Sequence, residues 1–122
     1  MTRTAELTGE LERAVMDAVW AADAPVSAYD VKAQLELQGR TPAVTTLLTV
    51  LTRLEKRGLV VSDRSMRPHH YTPVTSRAAH VAELMHDVLG TSLDRTAVLT
   101  RFVGGVSAED AAVLRRLLER AE

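Results

Sequence analysis

The chain has 122 residues, enough for one modest domain or for a small head with an appended helical module. Apolar residues make up 46% and charged residues 25%, which is typical of a folded globular protein and not of a disordered or fibrous one. Aromatic residues are only 3% and cysteine is absent, which disfavours a stacking platform for single-stranded nucleic acid and excludes disulfides, thiolate metal sites and cysteine nucleophiles.

The hydropathy pattern predicts no membrane segment. No apolar run approaches the roughly 20 residues that are needed to cross a bilayer. The polar start MTRTAELTGE does not resemble a signal peptide. We therefore expect a soluble, cytoplasmic protein without a membrane partner.

The charge is distributed unevenly along the chain. Residues 1–39 carry a net charge of −4 and residues 78–122 carry −2, whereas residues 40–77 carry +5. Neutralising duplex phosphates depends on the local field and not on the charge of the whole chain, so such a segment favours binding to duplex DNA. On charge alone, a chance cluster of solvated side chains explains the segment equally well.

Two helices are predicted in the first 39 residues. The first covers residues 8–22, where apolar residues recur every three or four positions. Thr8 is its predicted cap. The second follows Ser27 and Asp30, which form a variant capping box, and it stops at Gly39, where glycine allows a left-handed conformation.

A third helix is predicted over residues 42–57, with Thr41 as the cap and Pro42 at the first helical position. Its predicted buried face consists of Val44, Leu47, Leu48, Leu51 and Leu54. Its other face carries Thr45, Thr46, Thr49, Thr52, Arg53 and Lys56. Threonine is a mediocre helix former because its branched β-carbon restricts the side chain. Its recurrence on one face therefore suggests selection for function.

Residues 59–73 predict a β-hairpin that carries Arg64 and Arg67 in its loop. After it the pattern returns to helix, in three amphipathic segments that break at Gly104-Gly105 and resume after the cap Ser107. These segments contain more apolar residues than three short helices can bury among themselves, so we expect a partner subunit to cover them. The expected interface residues are Val81, Leu84, Met85, Val88, Leu99, Phe102, Leu114, Leu117 and Leu118.

The predicted fold class is therefore mainly α with a small β-hairpin. Three helices followed by a basic hairpin is the element order of a winged helix-turn-helix, whose third helix fits the major groove of DNA. We expect this DNA-binding head at residues 1–74 and a helical dimerisation region at residues 75–122.

Three stretches of sequence, GELERAVMDAVW, TTLLTVLTRLEKRGLV and a YTPV hairpin end leading into AELM, resemble the penicillinase and methicillin-resistance repressors (the BlaI/MecI type). The similarity is strongest to actinobacterial relatives and runs from about Leu11 to Leu118. It implies a homodimeric repressor of inverted-repeat operator DNA in a stress- or β-lactam-responsive regulon, and no cofactor is expected. The positions that would contact DNA are Ala43, Thr45, Thr46, Thr49 and Arg53 in the third helix, with Lys56 on the same face, and Arg64 and Arg67 in the wing.

The sequence departs from its relatives in two regulatory features. In staphylococcal members a sensor-linked protease cuts between an Asn and a Phe in the dimerisation region, where this chain has Arg101-Phe102. The different first residue argues against cleavage by that route. Copper-responsive relatives carry a cysteine motif near the C-terminus, and the lack of cysteine excludes induction by that mechanism.

Other classes of function have weaker support in the sequence. Neighbouring His69 and His70 on a strand would point to opposite faces, and His80 and His86 are six residues apart on a helix, so no metal site is expected. No catalytic triad, phosphate loop or carboxylate pair suggests an enzyme. Two alternatives remain: a small-molecule-responsive winged-helix regulator with a ligand pocket between the head and the dimer helices, and a winged helix that binds only proteins.

Overall fold

The computed structural model describes residues 9–121. Within this range the chain forms helices and one antiparallel hairpin, in the order predicted from the sequence. The elements are α1 (Glu10–Ala21), α2 (Ala28–Glu36), α3 (Val44–Lys56), β1 (Val60–Asp63), β2 (His70–Pro73), α4 (Arg77–Gly90), α5 (Arg95–Gly105) and α6 (Ala108–Arg120). The predicted fold class, mainly helical with a small hairpin, is confirmed.

The core of the head lies where α1, α2 and α3 pack together against the hairpin. Each helix contributes an apolar stripe, because residues three and four apart share a helical face. The largest fully buried side chains are Met16, Leu35, Leu47, Leu51 and Leu54. Burying each of these stabilises the head by about 1.5–3 kcal/mol relative to leaving it exposed.

The ends of α1 and α2 follow from local chemistry. Ser27 Oγ accepts a hydrogen bond from the backbone N–H of Asp30, whose carboxylate accepts one from the backbone N–H of Ser27, so the predicted capping box is confirmed. Gly39 has a φ of 81°, as expected for a helix stop that needs the left-handed region. At the start of α1 the cap position is Gly9, and the predicted cap Thr8 lies outside the described residues.

The predicted start of α3 is wrong by two residues. The helix begins at Val44, with Ala43 extended at the cap position and no side chain capping it, so Pro42 does not occupy the first helical position. The Pro42 carbonyl instead accepts a hydrogen bond from Lys32 Nζ at 2.8 Å. This contact ties the loop before α3 to α2.

The hairpin is the wing of the head. Its strands pair antiparallel, with Val60 opposite Pro73 and Asp63 opposite His70. Val26 adds an isolated bridge to Tyr71 on the other side of β2, with both backbone hydrogen bonds formed. The wing is therefore anchored to the helical core through the backbone as well as through buried Tyr71.

The chain divides into two compact units between Leu84 and Met85, within α4. In the second unit α5 is capped by Asp94, and α6 by the predicted cap Ser107, whose Oγ accepts a hydrogen bond from the backbone N–H of Asp110. Neither α5 nor α6 has a buried residue. The sequence analysis placed the boundary between the DNA-binding head and the dimerisation region after residue 74. This division by function stays a prediction. Among the described residues, no helix is long and apolar enough to span a membrane.

Candidate nucleic-acid interface

The outer face of α3 is the centre of the candidate interface. Burial of Leu47, Leu51 and Leu54 in the core fixes the rotation of the helix, so its opposite side is exposed. The exposed residues on α3 are Thr45, Thr46, Leu48, Thr49, Thr52, Arg53 and Lys56. Every α3 residue that the sequence analysis expected to contact DNA is thus exposed, and Ala43 is exposed just before the helix.

The expectation that Leu48 belongs to the core is wrong. Its side chain is 40% exposed, whereas Val50, which was not expected in the core, is buried. Leu48 lies three residues after Thr45 and four before Thr52, so it belongs to the threonine stripe. That spacing was a signal in the sequence that would have placed Leu48 on the candidate interface.

Two threonine hydroxyls on this face are turned back onto the helix. Thr49 Oγ1 donates to the carbonyl of Thr45 at 3.1 Å, and Thr52 Oγ1 donates to the carbonyl of Leu48 at 2.8 Å. With their protons used in this way, these side chains present a methyl group and oxygen lone pairs to the outside. The surface is therefore suited to apolar contact with thymine methyl groups and to accepting hydrogen bonds from base amino groups.

Cations surround this stripe near the end of α3. Arg53 and Lys56 lie in the last turn, where positive charge is also favoured by the helix dipole. Arg53, Thr46 and Thr49 line a shallow, open groove against the start of α1. Near the same end, Arg57 bonds to Glu12 of α1 at 2.8 Å, which fixes the two helices to each other.

The two wing arginines have different surroundings. Arg64 forms an ion pair with Glu55 of α3, with 2.9 Å between Arg64 Nη2 and Glu55 Oε1. Arg67 Nη1 lies 3.2 Å from His69 Nε2, and because arginine only donates, that imidazole nitrogen is the acceptor. Both arginines are exposed. Arg64 is therefore paired with a carboxylate, whereas Arg67 contacts the imidazole of His69.

The wing turn itself is built on Asp63. Its carboxylate accepts hydrogen bonds from both the backbone N–H and the hydroxyl of Ser65. These bonds stabilise the ionised form, and they hold the pKa of Asp63 below its ordinary value. The turn that carries the arginines is thus stabilised by the hydrogen bonds of Asp63 to Ser65.

The histidines have separate surroundings. His70 Nδ1 donates to the carbonyl of Pro68 at 2.8 Å, and His80 is buried with its ring 5.3 Å from that of Trp20. Among residues 9–121, no three His, Cys, Asp or Glu residues are grouped so that they would hold a metal ion.

The residues predicted to form a dimer interface are largely exposed on α4, α5 and α6. Leu84 and Leu114 are partly exposed, and the rest are exposed. Phe102 is 49% and Leu118 is 68% exposed. Large apolar side chains in contiguous patches usually mark an interaction surface. Arg101 and Phe102, the pair at the family's cleavage position, lie in the middle of α5 and are both exposed.

The three-helix head, its anchored hairpin and the exposed polar face of α3 define a winged-helix protein. A family model described as "Penicillinase repressor" matches residues 8–120. Two relatives from Mycobacterium tuberculosis, from strains CDC 1551 / Oshkosh and ATCC 25618 / H37Rv, are both named "Transcriptional regulator BlaI". Each is 44% identical over 117 residues, which cover 93% of this chain and 84% of the relative. The chain belongs to the penicillinase repressor family, and it is a transcriptional repressor and not an enzyme.

Proposed function

We propose that the protein is a homodimeric repressor that binds inverted-repeat operator DNA in a stress- or β-lactam-responsive regulon. In each protomer α3 enters the major groove and the wing follows the phosphate backbone. The observation that carries this proposal is the outer face of α3, where Leu48 and the threonines are exposed together in the most basic third of the chain.

The dimensions and chemistry of α3 support this placement. An α-helix with its side chains is about 10–12 Å wide, and the major groove is about 12 Å wide. The small side chains on the outer face of α3 permit close approach to base edges. Arg53 and Lys56 extend from the same face toward the flanking phosphates, as positioning contacts usually do.

The exposed apolar faces of α4 to α6 support the homodimer. A two-fold symmetric dimer presents two identical heads, so its operator is expected to be an inverted repeat whose half-sites are about one helical turn or a multiple of a turn apart. Cleavage by a sensor-linked protease is not included in this proposal, because the family's cleavage site has Asn where this chain has Arg101.

The proposal is tested with duplexes selected by the purified protein from genomic fragments, measured by fluorescence anisotropy. A dimer that contacts about six to eight phosphates should lose about a thousandfold or more in affinity between 50 and 200 mM salt. We expect the selected duplexes to share an inverted repeat. Binding that is insensitive to salt, or stronger to the single strands than to the duplex, would refute this function.

A further inference from the structure

Glu55, in the last turn of α3, joins the helix to the wing. Its Oε1 accepts a hydrogen bond from Arg64 Nη2 at 2.9 Å, and its Oε2 accepts one from the hydroxyl of Ser62. Arg64 Nε donates to the same Ser62 Oγ at 3.2 Å. The three side chains therefore form a closed ring of hydrogen bonds between α3, β1 and the first residue of the wing turn.

A glutamate at this place is unfavourable in two ways. It lies near the C-terminal end of a helix, where the helix dipole disfavours negative charge. It is also one of only two acids in residues 40–77, the segment proposed to face DNA phosphates. The other acid, Asp63, is used in the wing turn. Because the helix dipole and the nearby DNA phosphates both disfavour a negative charge at Glu55, its presence suggests that its contacts have a specific role.

The ring determines the orientation of Arg64. Because Nε and Nη2 both donate hydrogen bonds within the ring, the planar guanidinium has a fixed direction. Nη1 remains available to donate to another partner. The side chain of Arg64 is 67% exposed, whereas that of Glu55 is 27% exposed. Of the two partners, the carboxylate is thus the less exposed and the guanidinium the more exposed.

We propose that Glu55 is a positioning residue for DNA binding, which together with Ser62 holds Arg64 so that its Nη1 edge meets a DNA phosphate. This role rests on the proposed function. An arginine that is already ordered loses less side-chain freedom when it binds, so the pair strengthens DNA binding although Glu55 is negative. The ionised state this requires is supported by the hydrogen bonds from Ser62 and Arg64, which lower the pKa of Glu55.

The proposal predicts that removing the negative charge of Glu55 weakens DNA binding, whereas simple charge repulsion between Glu55 and DNA predicts that it strengthens binding. Glu55→Gln removes the negative charge and with it the ion pair to Arg64. It also replaces one acceptor oxygen with an amide nitrogen that only donates, while the remaining amide oxygen can still accept from Arg64. We expect operator binding by the full chain to weaken roughly three- to tenfold, as for the loss of an exposed ion pair in each of two protomers. The matched control is Asp23→Asn, which removes one exposed carboxylate of the head outside the Glu55, Ser62 and Arg64 ring and is expected to leave binding unchanged or to tighten it slightly.

A double-mutant cycle identifies the residue through which Glu55 acts. If Glu55 works through Arg64, then Glu55→Gln costs nothing further in an Arg64→Ala background, and each change lowers the salt slope by a similar amount. Ser62→Ala, which removes the other acceptor of the guanidinium with no change in charge, is expected to weaken binding in the same direction. Thermal unfolding of each variant confirms that only folded protein is compared.

The outcomes separate this role from the proposed function. Wild-type protein that does not bind duplex DNA would overturn both. Wild-type protein that binds, with Glu55→Gln binding equally or more tightly, would overturn only the positioning role. Additive effects of Glu55→Gln and Arg64→Ala would also overturn it, since independent residues do not act through one another.

Discussion

The indole Nε1 of Trp20, at the end of α1, donates a hydrogen bond to the backbone carbonyl of Thr75, 55 residues further along the chain, at 2.9 Å. The start of α4 surrounds the same ring. The guanidinium carbon of Arg77 lies 5.6 Å from its centroid, and Arg77 Nη2 reaches Asp17 of α1 at 3.1 Å. The buried imidazole of His80 packs against it as well. Trp20 therefore attaches the chain leaving the wing to the first helix.

Replacing Trp20 with Phe should destabilise the head by about 1–2 kcal/mol, because it keeps an aromatic ring but leaves the Thr75 carbonyl without its donor. Trp20 is the single tryptophan, so its replacement removes the tryptophan fluorescence signal. Urea unfolding is therefore followed by circular dichroism at fixed protein concentration. Tyr29→Phe is the control. Its side chain is exposed, and we expect a change within about 0.5 kcal/mol. Equal stability of the two variants would show that the Trp20 bond adds nothing.

Leu47 and Leu48 are neighbours with opposite environments, and alanine variants should separate stability from DNA binding. Leu47 is fully buried, so Leu47→Ala is expected to cost about 2–5 kcal/mol in unfolding free energy. Leu48→Ala should leave unfolding nearly unchanged and weaken operator binding by about 1–3 kcal/mol if the side chain contacts a base. Urea unfolding and anisotropy on both variants test this pair. Unchanged operator binding by Leu48→Ala would exclude a contribution from that side chain.

The Leu47 and Leu48 pair shows where prediction from the sequence fails. Apolar residues fill so many positions of α3 that a stripe through Leu48 and a stripe through Val50 both have helical spacing. Which stripe is buried depends on the angle at which α3 packs on α1 and α2. That angle is a tertiary property, so the core of this helix was predicted only in part.

Features set by neighbouring residues were predictable, and features set by distant ones were not. The Ser27–Asp30 capping box was predictable because all its atoms come from one turn of chain. The contact between Lys32 and the Pro42 carbonyl, and that between Glu55 and Arg64, require the folded arrangement of separate elements. For the same reason the sequence placed Arg64 in the loop of the wing but did not predict its ion pair with Glu55.

The pH dependence of stability should reveal the Glu55 contacts. Hydrogen bonds from Ser62 and Arg64 lower the pKa of Glu55 from its ordinary value of 4.5. A lowered pKa in the folded state stabilises the protein above the ordinary value, and the stabilisation is lost as the pH falls through the folded pKa. At pH 7 wild type should therefore exceed Glu55→Gln by up to about 1 kcal/mol, the range for partly exposed pairs. Urea unfolding from pH 7 to 3 should show this gap closing.

A charge placed on the exposed face of α5 should dissociate the dimer. In the proposed dimer Phe102 is covered by the partner, so Phe102→Asp is expected to give monomers at micromolar concentration in sedimentation. The control is Leu93→Asp. Leu93 is an equally apolar exposed residue in the loop before α5, but it is outside the predicted interface set. Wild-type protein that sediments as a monomer, or a Phe102→Asp dimer, would contradict the proposed interface.

Arg67 and Thr46 should separate positioning contacts from sequence-specific ones. Arg67 is an exposed cation in the wing, and its nearest partner is the His69 ring, so it is free to meet phosphate. Arg67→Ala should weaken binding to operator and to random duplex by similar factors and reduce the salt slope by about one unit. Thr46 lies on the outer face of α3. Thr46→Ala should cost about 1–3 kcal/mol on the operator and little on random duplex.

The comparison uses both variants on both duplexes at several salt concentrations. The two complexes differ because only the specific one brings base edges against α3, whereas phosphates meet the wing in both. Thr46→Ala should therefore lower the specificity ratio, and Arg67→Ala should preserve it. If Thr46→Ala weakened both duplexes equally while Arg67→Ala affected only the operator, the wing would carry the sequence specificity and α3 would serve only to position the protein.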